Sequence, residues 1–188
     1  MRQFLISVLE VVEVVLVALG AVYVIRTFLV QPFLVSGASM AHTFESGDYL
    51  LIDELSYHFR KPSRGEVVVF HYPNKESTYF IKCIIALPGE RVELGSGGVV
   101  VFNKEFPNGR TLDEPYLPSG TATNARPGKE TVFELGQSQY FVLGDNRSFS
   151  FDSRDWGLLT SNEVVGLVRL RLWPATGFTV FAAPAYQN

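Results

Sequence analysis

Apolar residues run almost unbroken from Phe4 to Val30, with charges only at Glu10, Glu13 and Arg26. The uncharged core, Val14 to Ile25, is 12 residues long, short of the roughly 20 that a bilayer takes. Arg26 can snorkel toward one surface, and Glu10 and Glu13, three apart on one helical face, can sit near the other. The pattern therefore predicts one transmembrane helix of about 25 residues, ending before Gln31-Pro32. A cleaved leader is the competing reading, because Ser36-Gly37-Ala38 is a small-x-small triplet. Against it, the apolar run ends well upstream of that triplet, and the basic start is only Arg2 plus the terminal amine. Arg2 and Arg26 flank the run almost symmetrically, so charge does not orient the helix.

Beyond Ser46-Gly47 the 3.6-residue period disappears, and short apolar or alternating runs stand between turn residues. Strands are predicted at Tyr49 to Ile52, Glu66 to His71, Tyr79 to Ile85, Gly98 to Phe102, Tyr140 to Leu143 and Val164 to Leu172. Turns or loops are predicted at Lys61-Pro62, Tyr72-Pro73-Asn74, Pro88-Gly89, Pro107-Asn108-Gly109 and Pro118-Ser119-Gly120. The fold class is mostly β: an N-terminal transmembrane helix over 1–31, then a domain over 32–188 folded as packed sheets or a partial barrel. The interval 95–136, rich in Gly, Pro and Thr, reads as a looser inserted hairpin and loops.

Composition narrows the function. A net charge of −3 leaves no basic face for nucleic acid. One cysteine excludes an internal disulfide framework, and three scattered histidines give no metal-ligand spacing, so neither metal nor cofactor is implied. Cys83 lies in the apolar run Ile81 to Ala86, where a buried inert thiol is expected.

Three stretches carry candidate chemistry. In Ser36-Gly37-Ala38-Ser39-Met40-Ala41-His42-Thr43 the small residues allow a tight turn and close approach of another chain, making Ser39 a candidate nucleophile. In the strand from Tyr79 to Ile85, alternation sets Phe80, Lys82 and Ile84 on one face and Ile81, Cys83 and Ile85 on the other. Lys82, alone among the five lysines, thus stands between two large apolar side chains. A lysine acts as a base near neutral pH only if its pKa falls by roughly three units, about 4 kcal/mol, which desolvation can supply. The third stretch, Gly144 to Gly157, mixes Asp145, Arg147, Ser150, Asp152 and Arg154 in a glycine-bounded loop able to hold a rigid turn and aim a hydroxyl at a nearby amine. Taken singly, each stretch also reads blandly: a polar linker, an edge-strand lysine in water, a surface loop.

Together and in order, the three stretches resemble the type I signal peptidases, membrane-anchored Ser/Lys proteases that remove signal peptides from exported proteins. Ile25 to Phe33 is similar to that family's junction of helix and catalytic domain, and Ser39-Met40 to its nucleophile motif. Tyr79-Phe80-Ile81-Lys82 followed by Leu87-Pro88-Gly89-Glu90 matches the lysine motif. Asp113-Glu114-Pro115-Tyr116-Leu117 and Trp173-Pro174 follow in the expected order. Gly144-Asp145-Asn146-Arg147 with Ser150-x-Asp152-Ser153-Arg154-x-Trp156-Gly157 is the most specific match.

The resemblance implies that Ser39 attacks the scissile carbonyl while neutral Lys82 takes its proton and later passes it to the leaving amine. It further implies that Ser150 bonds the lysine amine, that Asp152 and Arg154 brace the loop as an ion pair with help from Asp145, and that the Ser39 backbone N–H is one oxyanion donor. A preprotein would bind as an added strand, its small residues at −1 and −3 in shallow pockets lined by Phe33, Val35, Met40 and Ile81. The implied setting is the lipid bilayer of the cell membrane, crossed once, with the catalytic domain on the extracytoplasmic side. A monomer is expected, with room for transient association with the export machinery. The chain departs from the family pattern at four places. Gly37 stands where some members carry a serine that donates to the oxyanion, which leaves the second donor open. His42 replaces a proline, Ala86 a glycine, and Cys83 a basic residue whose loss removes the customary partner of Asp145. His42 also invites a Ser/His reading, though no acid is clearly placed to orient it. Two alternatives stay open: a catalytically impaired β domain that binds extended peptides, and a Ser/Lys protease that matures a dedicated secretion substrate.

Overall fold

The structure, a computed structural model, describes residues 2–28, 30–95 and 98–182. The chain opens with α1 (Arg2–Phe28). Its segment Ile6–Tyr23 is long and apolar enough to cross a bilayer, and none of it is buried against protein. A helix apolar on all sides and uncovered by its own chain has lipid as its favourable surroundings. The Arg26 side chain, expected to reach one membrane surface, lies outside the described residues.

Beyond the helix come β1 (Val30–Leu34), β2 (Tyr49–Asp53), the one-turn α2 (Ser56–Phe59), β3 (Val67–Tyr72), β4 (Lys75–Ala86), β5 (Arg91–Gly95), β6 (Gly98–Phe102), β7 (Arg110–Thr111), β8 (Val132–Glu134), β9 (Gln139–Leu143), the one-turn α3 (Ser153–Trp156), β10 (Leu159–Thr160), β11 (Val164–Trp173) and β12 (Thr179–Val180). The larger sheet has the order β1-β2-β11-β3-β4-β9-β10, with β12 added alongside β11, and the smaller one the order β7-β6-β5-β8. The mostly β class expected from the sequence is the one observed. The larger sheet curls enough that Phe33 of β1 meets Tyr79 of β4 edge to face, ring centres 5.2 Å apart.

Two apolar clusters lie on opposite faces of β4. Cys83 and Ile85 join Leu50, Val69, Phe141 and their neighbours in the main core, against which Ile81 packs. Ile84 joins Val68, Phe70 and Tyr140 in the second, against which Phe80 packs. The alternation read from Tyr79 to Ile85 is thus realised, and Cys83 is buried as expected. Burial pushes its thiol pKa far up, which keeps it inert.

The helix ends at Phe28, before Gln31-Pro32 as expected, and the chain then forms β1, a strand not among those expected, with Pro32 inside it opposite Leu51. The strand tolerates it because β1 is a sheet edge, where a missing N–H leaves no ladder bond unmade. Likewise β5 is not among the expected strands: Arg91 and Glu93 are half-exposed while Val92 and Leu94 are buried, an alternation too short to stand out.

Candidate active site

Ser39 sits in a compact turn between β1 and β2. The amides of Ala41 and Thr43 donate to the carbonyls of Ala38 and Met40 at 3.1 Å, and Phe44 N–H donates to Met40 at 2.7 Å. Three residues hold left-handed backbone here, Gly37 at φ +103°, His42 at φ +87° and Gly47 at φ +102°. Gly37 does so without a steric cost. A proline, fixed near −65°, could not take the His42 conformation, so this turn follows a path of its own. The exposed His42 side chain forms no hydrogen bond with any described residue, whereas Ser39 Oγ meets Lys82, so nothing in the geometry favours a Ser/His pair.

Lys82 projects from β4 toward this turn. Its Nζ lies 2.7 Å from Ser39 Oγ and donates to the Ile81 carbonyl at 2.8 Å. Only 3 % of the residue is exposed, and its ammonium faces the Phe80 ring at 5.4 Å. Burial pulls its pKa down to about 8, against the opposing pull of the Asp152 and Asp145 charges. A base and a hydroxyl in contact, with the base poised near neutrality, is the arrangement that activates a weak nucleophile. The Ser39 backbone N–H is free of partners among the described residues.

The loop after β9 clamps this pair from the other side. Asn146 donates from its backbone to the Ser39 carbonyl and from its side chain to the Ala38 carbonyl, both at 3.0 Å. The Thr43 hydroxyl donates to Asp145 Oδ2. Gly144 is packed so closely that an added Cβ would collide with Ser150 Oγ and with the Ser39 carbonyl oxygen. Ser150 is buried, and its Oγ has no hydrogen-bond partner among the described residues, Lys82 included. Asp152 is fully buried: it caps α3 through Arg154 N–H, accepts from Gly144 N–H at 3.1 Å, and pairs at 2.8 Å with both Nε and Nη2 of Arg154. Arg154 in turn donates to the Arg147 carbonyl at 2.7 Å. Buried charges persist when paired and hydrogen-bonded on all sides, and this pair fixes the loop.

Asp145 is less well provided for. Its Oδ1 is buried without a partner among the described residues, beside the apolar Cys83. Burial pushes its pKa up to about 6 despite the Thr43 bond and the Arg147 charge.

A groove of about 300 Å³ leads to Ser39 and Lys82. Phe33, Val35 and Ile81 line it as expected, but Met40 does not: at 1 % exposure its side chain is part of the main core. Leu50, Val69, Tyr79, Phe80, Phe149 and Phe151 also line it and escaped the sequence reading as groove residues. The sequence reading placed Arg147 in the loop but gave it no partner. Its fully buried guanidinium grips Glu114 at 2.5 and 2.7 Å and Tyr116 Oη at 3.1 Å. The only sequence signal for that link was the Asp113 to Leu117 motif.

A family model described as signal peptidase, peptidase S26, matches residues 8–173. The chain belongs to this family. Among its relatives, a probable signal peptidase I-2 of Synechocystis sp. is 38 % identical over 87 % of this chain and 70 % of that one. The signal peptidase I of Bacillus caldolyticus is 36 % identical, covering 86 % of this chain and 90 % of its own. Signal peptidase IB of Staphylococcus aureus (strain COL) is 34 % identical over 92 % and 93 %. A solved signal peptidase I from Enterococcus faecalis V583 is 27 % identical, with a TM-score of 0.45 over 57 % of this chain and 97 % of that one. In this member of the S26 peptidases the family match takes in the Ser39 turn, β4 and the loop after β9 alike.

Proposed function

We propose that this chain removes signal peptides from exported preproteins at the membrane surface, with Ser39 as nucleophile and Lys82 as general base. The observation that carries the proposal is the 2.7 Å approach of Ser39 Oγ to a lysine amine that burial holds near neutrality. Ser39 Oγ attacks the scissile carbonyl as its proton passes to Lys82 Nζ, and the Ser39 N–H supports the developing oxyanion. Lys82 then protonates the departing amine. Water, deprotonated by the same lysine, releases the acyl group and restores the hydroxyl.

An extended substrate suits the groove. β9 pairs β4 only from Cys83 onward, leaving Tyr79 to Lys82 with an open edge on that side, and β1 pairs only β2. A preprotein segment adds as a strand along these edges, with small residues at −1 and −3 against Val35 and Ile81. Asp145, Asp152 and Arg154 hold the loop that carries Ser150, whose unpartnered hydroxyl would have to turn toward Lys82 Nζ to aim the amine. Residues 1–31 anchor the enzyme, and 32–188 work on the extracytoplasmic side.

The test is turnover. Full-length protein in detergent is incubated with a preprotein bearing an Ala-x-Ala site, beside Ser39→Ala and Lys82→Ala. The proposal expects cleavage after the second alanine by the native protein and by neither variant. Binding without cleavage by the native protein would replace it with the peptide-binding reading.

A further inference from the structure

Ser150 is flanked by two phenylalanines that contribute nothing to the core. Phe149 is 78 % exposed and Phe151 50 % exposed, although the loop around them is otherwise made of Asn, Arg, Ser and Asp. Both line the groove that leads to Ser39. Phe151 meets Tyr72 at 5.9 Å and Phe80 at 6.3 Å, each edge to face, and Tyr72 and Phe80 themselves stack at 4.8 Å. Exposed rings gathered in one patch mark a contact surface, whereas single ones do not.

The groove has two unlike walls. Val35, Leu50, Val69 and Ile81 belong to the main core cluster or pack on it. Phe80, packed on the second cluster across β4, and the phenylalanines beside Ser150 form the other wall. Successive side chains of an extended peptide point to opposite sides. If −1 and −3 face the first wall, −2 faces the aromatic one.

We propose that Phe149 and Phe151, with Phe80, form an aromatic seat for the substrate side chain at −2, so that this enzyme selects small-aromatic-small or small-aliphatic-small sites. The inference rests on the peptidase reading above. The seat is continuous with the candidate catalytic groove, which favours a peptide side chain over a lipid tail as its occupant. A half-open apolar seat is worth about a tenfold preference, the low end of what hydrophobic pockets achieve.

The experiment measures kcat/KM of the full-length protein in detergent on four preproteins that differ only at x of Ala-x-Ala: Phe, Leu, Ser and Asp. A fifth carries Ser at −2 and Phe at +1. Expected is a rate constant about tenfold higher for Phe than for Ser at −2, with Leu between them and Asp lowest. In Phe149→Ser/Phe151→Ser the Phe-to-Ser ratio should collapse toward unity, and Phe149→Leu/Phe151→Leu should restore most of it. A flat series in the native protein, a preference that survives the serine variant, or a preference at +1 in place of −2 would each overturn the seat while leaving the peptidase reading intact. If the native protein cleaves no member, the peptidase reading fails and takes the seat with it.

Discussion

Raising the pH from 6 to 9 should switch this enzyme on, and the midpoint reports on Lys82. Burial lowers the lysine pKa from 10.5 to about 8, a change of about 3.4 kcal/mol. At pH 7 about one molecule in ten then carries a neutral amine, against about one in three thousand for an ordinary lysine. kcat/KM should therefore climb about tenfold per unit below the midpoint and level off above it. Asp145 provides the control. Its own pKa of about 6 leaves it ionised at pH 8, where its charge favours the ammonium and holds the lysine pKa up. Asp145→Asn removes that charge while its amide oxygen still accepts from Thr43, so the midpoint should move to lower pH by on the order of one unit. The assay is initial-rate cleavage of an Ala-x-Ala preprotein from pH 5.5 to 10 in detergent at fixed ionic strength. A flat profile, a midpoint near 10.5, or a shift to higher pH in Asp145→Asn would refute the reasoning.

Four further substitutions, at three positions, probe the surroundings of Ser39 and Lys82. Gly144→Ala drives a methyl group into Ser150 Oγ and the Ser39 carbonyl; cleavage should fall below a hundredth of native, with about 1–3 kcal/mol lost in thermal unfolding. At the exposed, left-handed His42, Gly should keep activity and add about 1 kcal/mol of stability, whereas Pro should disrupt the turn and abolish cleavage, both read by melting and turnover. Glu114→Ala leaves the Arg147 guanidinium buried and unpaired and should cost about 3–5 kcal/mol of unfolding free energy in denaturant titration.

Local pattern made much of this fold legible. Alternation from Tyr79 to Ile85 marked both a strand and the buried setting of its lysine, because one face of β4 packs on each apolar cluster. Turn residues also told true: Pro73-Asn74 joins β3 to β4, and Gly109 and Gly120 take the left-handed backbone that their turns require. What stayed hidden depends on partners distant in the chain. Pro32 is acceptable in β1 only because the sheet ends there, and Arg147 is stable only because Glu114 comes to it from 33 residues away. Met40 follows the nucleophile in sequence, yet the tight turn swings its side chain into the core and away from the groove. Phe149 and Phe151 read as ordinary loop residues until the loop folds back over Ser39. The expected effect of Cys83, by contrast, was legible: the structure leaves a buried Asp145 oxygen without a partner among the described residues.

The most direct measurement is capture of the acyl-enzyme. Full-length protein mixed with excess Ala-x-Ala preprotein is quenched in acid within the first turnover, digested and read by mass spectrometry. The Ser39/Lys82 account predicts the N-terminal fragment of the preprotein esterified to the peptide that contains Ser39, and no adduct in Lys82→Ala at the same time point. Turnover without any adduct on that peptide, or an adduct on another residue, would contradict it.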